Sequence, residues 1–326
     1  MRRPFILIAF IILFSVPAVT HAGKLFLKTG IGGGYDTYGG GIYGVFKLNA
    51  EGLTGDKPYE VFGAVNLLGT LTTNYALVDG EGTIGVFYTP SLYTVFHALV
   101  SYRYIFDIHN WIKATLDLKY DLGRQVTLHG QYKYISAVSL AAVLPDSYNN
   151  HLLTGGGSFD LSSYFTIDAE INYSLRDYFK ISIGNKTLKN DQIKAGISFI
   201  LYPDYGLTLK IGYAYLHNQS SETAFYNNTA TNQSFLYNTA DTHSGLFGLE
   251  WNLAQEFRLS ILGQVNSISY AVPQKSDLTY FAGILLETYL SPSVKIEVPL
   301  GYSGCFGAVQ ASYDRIRGGI ELYFFL

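Results

Sequence analysis

Charged side chains recur at every second position through much of this chain, and that spacing limits the chemistry open to them. In the stretch WIKATLDLKYD, Lys113, Thr115, Asp117, Lys119 and Asp121 fall on one side of an extended strand. Ile112, Ala114, Leu116, Leu118 and Tyr120 fall on the other. The same division gives further polar rows: His129 with Lys133, Asp168 with Glu170, Lys180, Lys210, Glu250, Arg258, Lys295 with Glu297, and Arg317 with Glu321. Acids and bases are interspersed in these rows. Groups arranged in this way can meet small polar solutes, but they do not form a catalytic constellation.

A nucleophile needs a base within hydrogen-bond reach and a third group to orient that base. The candidates are His217 with Ser220 and His243 with Ser244. Neither pair has the His-x-Ser spacing that brings two side chains to one face of a strand. His97, His109 and His151 sit in separate segments without short metal-ligand spacing. Cys305 is the single cysteine, which excludes an intrachain disulfide and a cysteine-rich zinc site. It is expected to be a small hydrophobe near a strand end. The glycine runs 32–34 and 39–41 precede no helix and are not nucleotide loops. A third run, 155–157, is expected to mark a bend. No catalytic residue, metal or cofactor is expected, and the protein is not expected to be an enzyme.

Those rows need strands to carry them, and the composition agrees. Charged residues make up 14% of the 326 residues, against roughly 25% in ordinary soluble domains. Aromatics reach 16%, with 28 Tyr and 21 Phe, and there are 34 Gly. A net charge of -3 offers no electrostatic case for nucleic acid. At the N-terminus Arg2 and Arg3 precede an apolar run from Phe5 to Val16, then Pro17, and then Thr20, His21 and Ala22. The run is too short for a membrane anchor, which needs roughly 17–25 residues. Residues 1–22 are therefore read as a signal peptide, and 23–326 as one exported domain.

From residue 24 onward one alternating segment follows another, with no apolar helix between them. Short connections repeat a pattern in which an aromatic or branched residue opens the next strand: Leu161 to Phe165, Leu175 to Phe179, Leu253 to Phe257 and Leu290 to Val294. The segment from Asn218 to Thr242 breaks the rhythm. It is rich in Asn, Thr, Ser and Ala, lacks Lys and Arg, and is read as one long exposed loop. The stretch from Leu71 to Asp79 is also read as loop.

A soluble sandwich would alternate too, but three features favour lipid on the apolar side. The segments have the roughly 9–11 residues that a tilted transmembrane strand needs. The apolar rows are almost free of charge, and Arg or Lys on a lipid face costs roughly 2–4 kcal/mol at the midplane. The segments are numerous, and a bilayer forbids an open sheet edge, so the sheet must close. Counting every segment gives an odd total where an even one is required. The error is placed before residue 165, and the expectation is fourteen or sixteen strands.

On its signal peptide, its alternating strands and its terminal strand 316–326, the chain resembles the bacterial outer-membrane β-barrel proteins. The resemblance implies an all-β, antiparallel up-and-down barrel in a Gram-negative outer membrane. It implies outer-membrane lipid and lipopolysaccharide around the barrel, and the barrel-assembly machinery as a partner during biogenesis. The charged rows quoted above would then line the lumen. Two functional expectations follow. One is a porin-like channel for passive passage of small hydrophilic solutes. The other is a surface barrel acting as adhesin or receptor through its loops, with a lipid-modifying enzyme as a third and weaker reading.

Overall fold

The computed structural model of the protein describes residues 24–37, 41–72, 76–105, 109–139, 147–183, 186–221, 224–228, 233–237, 239–271, 274–307 and 312–325. The proposed signal peptide lies outside them, as does Leu326. The first eleven strands are β1 (Lys24–Asp36), β2 (Gly41–Thr54), β3 (Tyr59–Thr72), β4 (Ala76–Ser91), β5 (Thr94–Ile105), β6 (His109–Leu122), β7 (Val126–Ser139), β8 (Tyr148–Ser162), β9 (Phe165–Ile183), β10 (Lys186–Asp204) and β11 (Leu207–Ser220). A short hairpin follows, β12 (Ala224–Asn228) with β13 (Gln233–Tyr237). The last five are β14 (Ala240–Ala254), β15 (Phe257–Tyr270), β16 (Lys275–Ser291), β17 (Val294–Gly307) and β18 (Tyr313–Phe325).

Apart from the hairpin, each strand pairs antiparallel with its neighbours in sequence, and β1 closes on β18. The result is a closed barrel of sixteen strands with no helix among the described residues. One end carries tight turns, such as Leu92–Tyr93 and Gln255–Glu256, together with the start of β1 and the end of β18. The other end carries the longer connections.

Sixteen decides between the two expected counts, and it locates the miscount. The residues from Leu175 to Phe179 form no turn. They continue β9, with Leu175, Arg176 and Asp177 paired to β8 on one side and β10 on the other. Arg176 lies 4.6 Å over the Tyr148 ring, and Lys189 pairs with Asp177 at 3.4 Å. The stretch holds no Gly or Pro to break the strand, so neighbouring hydrogen bonds prevail over a recurring local pattern. The error thus lies beyond residue 165, not before it. Residues 76–79 open β4 and are not loop. The polar segment 218–242 is also shorter as a loop than its composition suggests. Residues 218–220 end β11, residues 240–242 open β14, and the middle holds a hairpin. The run 155–157 does not bend β8, whose register continues through it on both sides.

The two faces of the wall differ completely. The outward rows carry exposed Ile31, Ile84, Leu116, Ile171, Ile211, Leu300 and Ile320 across the middle of the strands. Aromatics flank this aliphatic band. Tyr59, Tyr88, Phe96, Tyr120, Phe159 and Trp251 stand towards the turn end; Tyr102, Tyr132, Tyr173, Tyr213, Tyr280 and Tyr302 stand towards the loop end. Charges in the outward rows of the described strands lie towards the strand ends and not in the aliphatic band: Asp177, Lys189, Asp191, Asp241 and Asp314 at the loop end, and Asp204 at the turn end. A belt of this extent is far larger than the few hundred Å² of apolar patch a soluble monomer exposes. An aliphatic band between two aromatic girdles is the arrangement that suits a bilayer and its interfaces.

Closure at β1 depends on the absence of side chains. A Cβ at Gly34 would overlap the Gly318 carbonyl oxygen and fall 2.8 Å from the Tyr43 hydroxyl. At Gly32 it would fall 2.6 Å from the Ile320 carbonyl oxygen and 2.8 Å from the Glu321 Cγ. Gly34→Val should therefore prevent the β1–β18 seam from closing, whereas Gly44→Val, with nothing within 4 Å, should not. Electrophoresis in SDS with and without boiling checks this: the compact unboiled band should vanish in the first variant and persist in the second.

Candidate functional site

The concave face of a closed sheet converges, so side chains from strands that do not touch can meet there. That is where the polar rows meet. Lys47 on β2 reaches across β1 to Glu321 on β18, at 2.5 Å, and to the Tyr323 hydroxyl, at 2.8 Å. Lys113 on β6 crosses β5 to Glu81 on β4, at 3.1 Å. His129 on β7 crosses β8 to Glu170 on β9, at 3.7 Å, and Lys210 on β11 crosses β10 to Asp168 on β9, at 4.0 Å. The strand beneath each bridge offers a small residue in its inward row: Gly30 and Gly32, Ser101, Gly156, Ser198. Gly156 seats the His129 ring so closely that a Cβ there would come within 2.7 Å of its Cε1. The glycine run in β8 thus makes room for a side chain.

Adjacent strands supply further pairs. The Arg103 guanidinium donates from Nε to Asp79 at 2.7 Å, and Arg315 does the same to Asp36 at 2.9 Å. Arg258 pairs with Glu250 and lies 3.8 Å from Glu287. Lys295 sits between Glu287, at 2.8 Å, and Glu297, with its side chain only 9% exposed. Gln131 donates to Asp117 at 2.5 Å, and Lys119 lies 3.4 Å from Asp121. Lys133 and Arg317 form no ion pair among the described residues; the Arg317 guanidinium lies 4.9 Å from the Tyr43 ring centre. Lys180 belongs to β9, but its side chain lies outside the described residues. The other residues read from the sequence as lumen-lining all occupy the inward rows of their strands.

Among the described residues, the ion pairs join positions on one strand, on adjacent strands, or on strands one apart. None spans the lumen. The charges are tied along the wall, and the middle of the barrel holds no ion pair among the described residues.

No protein-family model matches the chain, and no curated protein matches it. Solved structures do. A bacterial polysaccharide outer membrane secretin aligns with a TM-score of 0.61 at 9% identity, over 92% of this chain and 97% of that one. Pseudomonas aeruginosa OccK5 (OpdH) aligns at 0.56 and 10% identity, over 93% and 97%. Pseudomonas aeruginosa OpdK with vanillate aligns at 0.54 and 8%, over 93% and 98%. The chain has the fold of the outer-membrane β-barrels. Identities this low speak to the fold alone, and they leave the work of this barrel to be argued from its own residues.

Several inward groups escape a reading of the sequence. Lys28, Lys47, Asp79, Glu81, Arg103 and Glu287 all belong to the wall network. Asp79 fell in a stretch read as loop. Glu287 shares its row with Phe281, Leu285 and Tyr289, which blurs the alternation. Lys47 could have been found by following the row Val45, Lys47, Asn49, Glu51 to the end of β2. The inward rows are also not wholly polar. Phe62 stacks on Phe87 at 5.3 Å, and Phe87 lies 4.2 Å from the His97 ring.

The catalytic candidates separate. His217 and His243 stand in outward rows, and Ser220 and Ser244 in inward ones. The His217 Nδ1 lies 2.8 Å from Asp241, and the His243 Nδ1 lies 2.6 Å from the Tyr213 hydroxyl. Cys305 is buried near the end of β17. Among the described residues no cluster of His, Cys, Asp and Glu could hold a metal ion.

Lys295 is the most enclosed base among the ion pairs of the network. Lys295→Met would leave Glu297 facing Glu287 without the base between them, with only Arg258 at 3.8 Å beside Glu287. Truncating one partner of a buried pair costs roughly 3–5 kcal/mol, which the wet lumen reduces to about 1–3 kcal/mol. Urea unfolding in detergent micelles, followed by tryptophan fluorescence, should show that loss. The triple variant Lys295→Met/Glu287→Gln/Glu297→Gln should recover most of it.

Proposed function

We propose that the protein is an outer-membrane channel for the passive passage of small hydrophilic solutes. The observation that carries this reading is the layout of its charges: they neutralise one another along the wall and not across the lumen. A barrel of 16 strands is wide enough to enclose an aqueous path, whereas narrower ones are filled by side chains. No helix or folded plug occupies the interior among the described residues. The outward belt supplies the second half of the argument, since it needs acyl chains and not water. Short turns at one end and longer connections at the other support a turn end in the periplasm and a loop end outside the cell. The signal peptide read from residues 1–22 supplies the route there, and lipopolysaccharide and the assembly machinery are the partners such a barrel would meet.

Purified protein in planar bilayers should give stepwise conductance. Deleting residues 222–238, which removes the β12–β13 hairpin and leaves β11 and β14 intact, should spare that conductance. A folded barrel that conducts nothing would instead favour a receptor or adhesin acting through this segment. Liposome swelling with vanillate, found in the OpdK structure, offers a first solute to try.

The membrane part of the proposal has its own test. Ile211 stands in an outward row and is 55% exposed. Ile211→Arg should cost roughly 2–4 kcal/mol in lipid vesicles if it lies near the midplane. A change on the inner wall, such as Lys133→Gln, should leave the unfolding midpoint nearly unmoved.

A further inference from the structure

The inward charges are unevenly shared between the two ends of the barrel. Near the turn end stand Glu51 of β2, Asp168 and Glu170 of β9, Glu250 of β14, Glu297 of β17 and Glu321 of β18. Glu60, Asp117, Asp121, Asp160 and Glu287 extend the same acidic zone. The bases at that end are fewer: Lys28, Lys47, Lys119, Lys210, Arg258 and Lys295. The order reverses near the loop end. Arg103 of β5, Lys113 of β6, Arg176 of β9, Lys194 of β10, and Arg315 and Arg317 of β18 stand there. They outnumber Asp36, Asp79, Glu81 and Asp277. Pairing along the wall does not cancel this imbalance, because each pair neutralises only charges at its own height.

We infer that the lumen is electrically polarised along its axis, basic towards the loops and acidic towards the turns, and that the pore therefore conducts ions unequally in the two directions. This rests on the channel reading above. Fixed charges of one sign in a low-dielectric cleft raise the local concentration of their counter-ions. Anions gather in the loop-end half and cations in the turn-end half. A voltage that is positive on the turn side drives cations in through the acidic half and anions in through the basic half, so both carriers accumulate and current rises. The opposite voltage draws both carriers out of the lumen and current falls. A solute with net charge of either sign is opposed in one half, whereas a solute without net charge is opposed in neither.

Single-channel current–voltage curves test this. Orientation is fixed by a Leu92→Cys variant in a Cys305→Ser background, since Leu92 lies in a turn and is 86% exposed. A biotin–maleimide label there lets streptavidin block the pore only from the turn side. At about 0.1 M KCl, where charges act over about 10 Å, the current at 100 mV should be on the order of twofold larger with the turn side positive. At about 1 M, with a screening length of about 3 Å, the curve should become symmetric. Glu51→Gln/Asp168→Asn/Glu170→Gln should flatten the low-salt curve. If that variant does not fold, Lys194→Gln/Arg317→Gln should flatten it from the other end. Stepwise conductance with a linear low-salt curve, or with the opposite asymmetry, would overturn the inference and leave the channel standing. Absence of conductance from the folded barrel would overturn both.

Discussion

Every backbone N–H and C=O within the apolar belt must find its partner inside the protein, because the surroundings supply none. That requirement governs the whole structure. It forces the sheet to close, and closure converts a row of alternating residues into two separate environments. The outward belt and the inward network are two results of one constraint. The seam between β1 and β18 is where the constraint is tightest, and glycine occupies the inward row of β1 at Gly30, Gly32 and Gly34. Those positions close the barrel. They also clear the floor over which Lys47 reaches Glu321 and Tyr323.

The inner wall solves an electrostatic problem as it solves a steric one. A charge held near a curved wall keeps access to the water of the lumen, so its desolvation is incomplete and a partner at moderate distance suffices. This explains the spread from the close Lys47–Glu321 contact, at 2.5 Å, to the loose Lys210–Asp168 contact, at 4.0 Å. It also explains why small residues recur beneath the bridges. A long side chain crosses a strand only where that strand's own inward residue is short. Local neutrality keeps the wall stable, while the sum over each end of the barrel stays unequal. Stability and polarity are therefore set by different properties of one set of residues: which neighbours they touch, and how high they stand.

Reading the sequence worked best where one face was uniformly apolar. The rows around Lys113, Asp168, Lys210, Lys295 and Arg317 were legible because their opposite rows carried no charge within the aliphatic band. It worked less well where both rows were mixed, as around Phe62 and Phe281, since inward aromatics imitate outward ones. It misplaced strand ends wherever local composition resembled a turn. The Leu175–Phe179 stretch matched three genuine connections almost residue for residue, yet it is held extended by β8 and β10. Hydrogen bonds to neighbouring strands are non-local, and no local pattern reports them.

By itself the sequence determined the architecture and the two-sided character of the wall. A period of two is a property of single strands, and a belt without charge permits only one kind of surroundings. Tertiary structure alone decided the number of strands, the partner of each charge and the height at which each charge stands. Those depend on register between strands far apart in the chain. Lys47 and Glu321 lie near opposite ends of the sequence and become neighbours only when the last strand returns to the first.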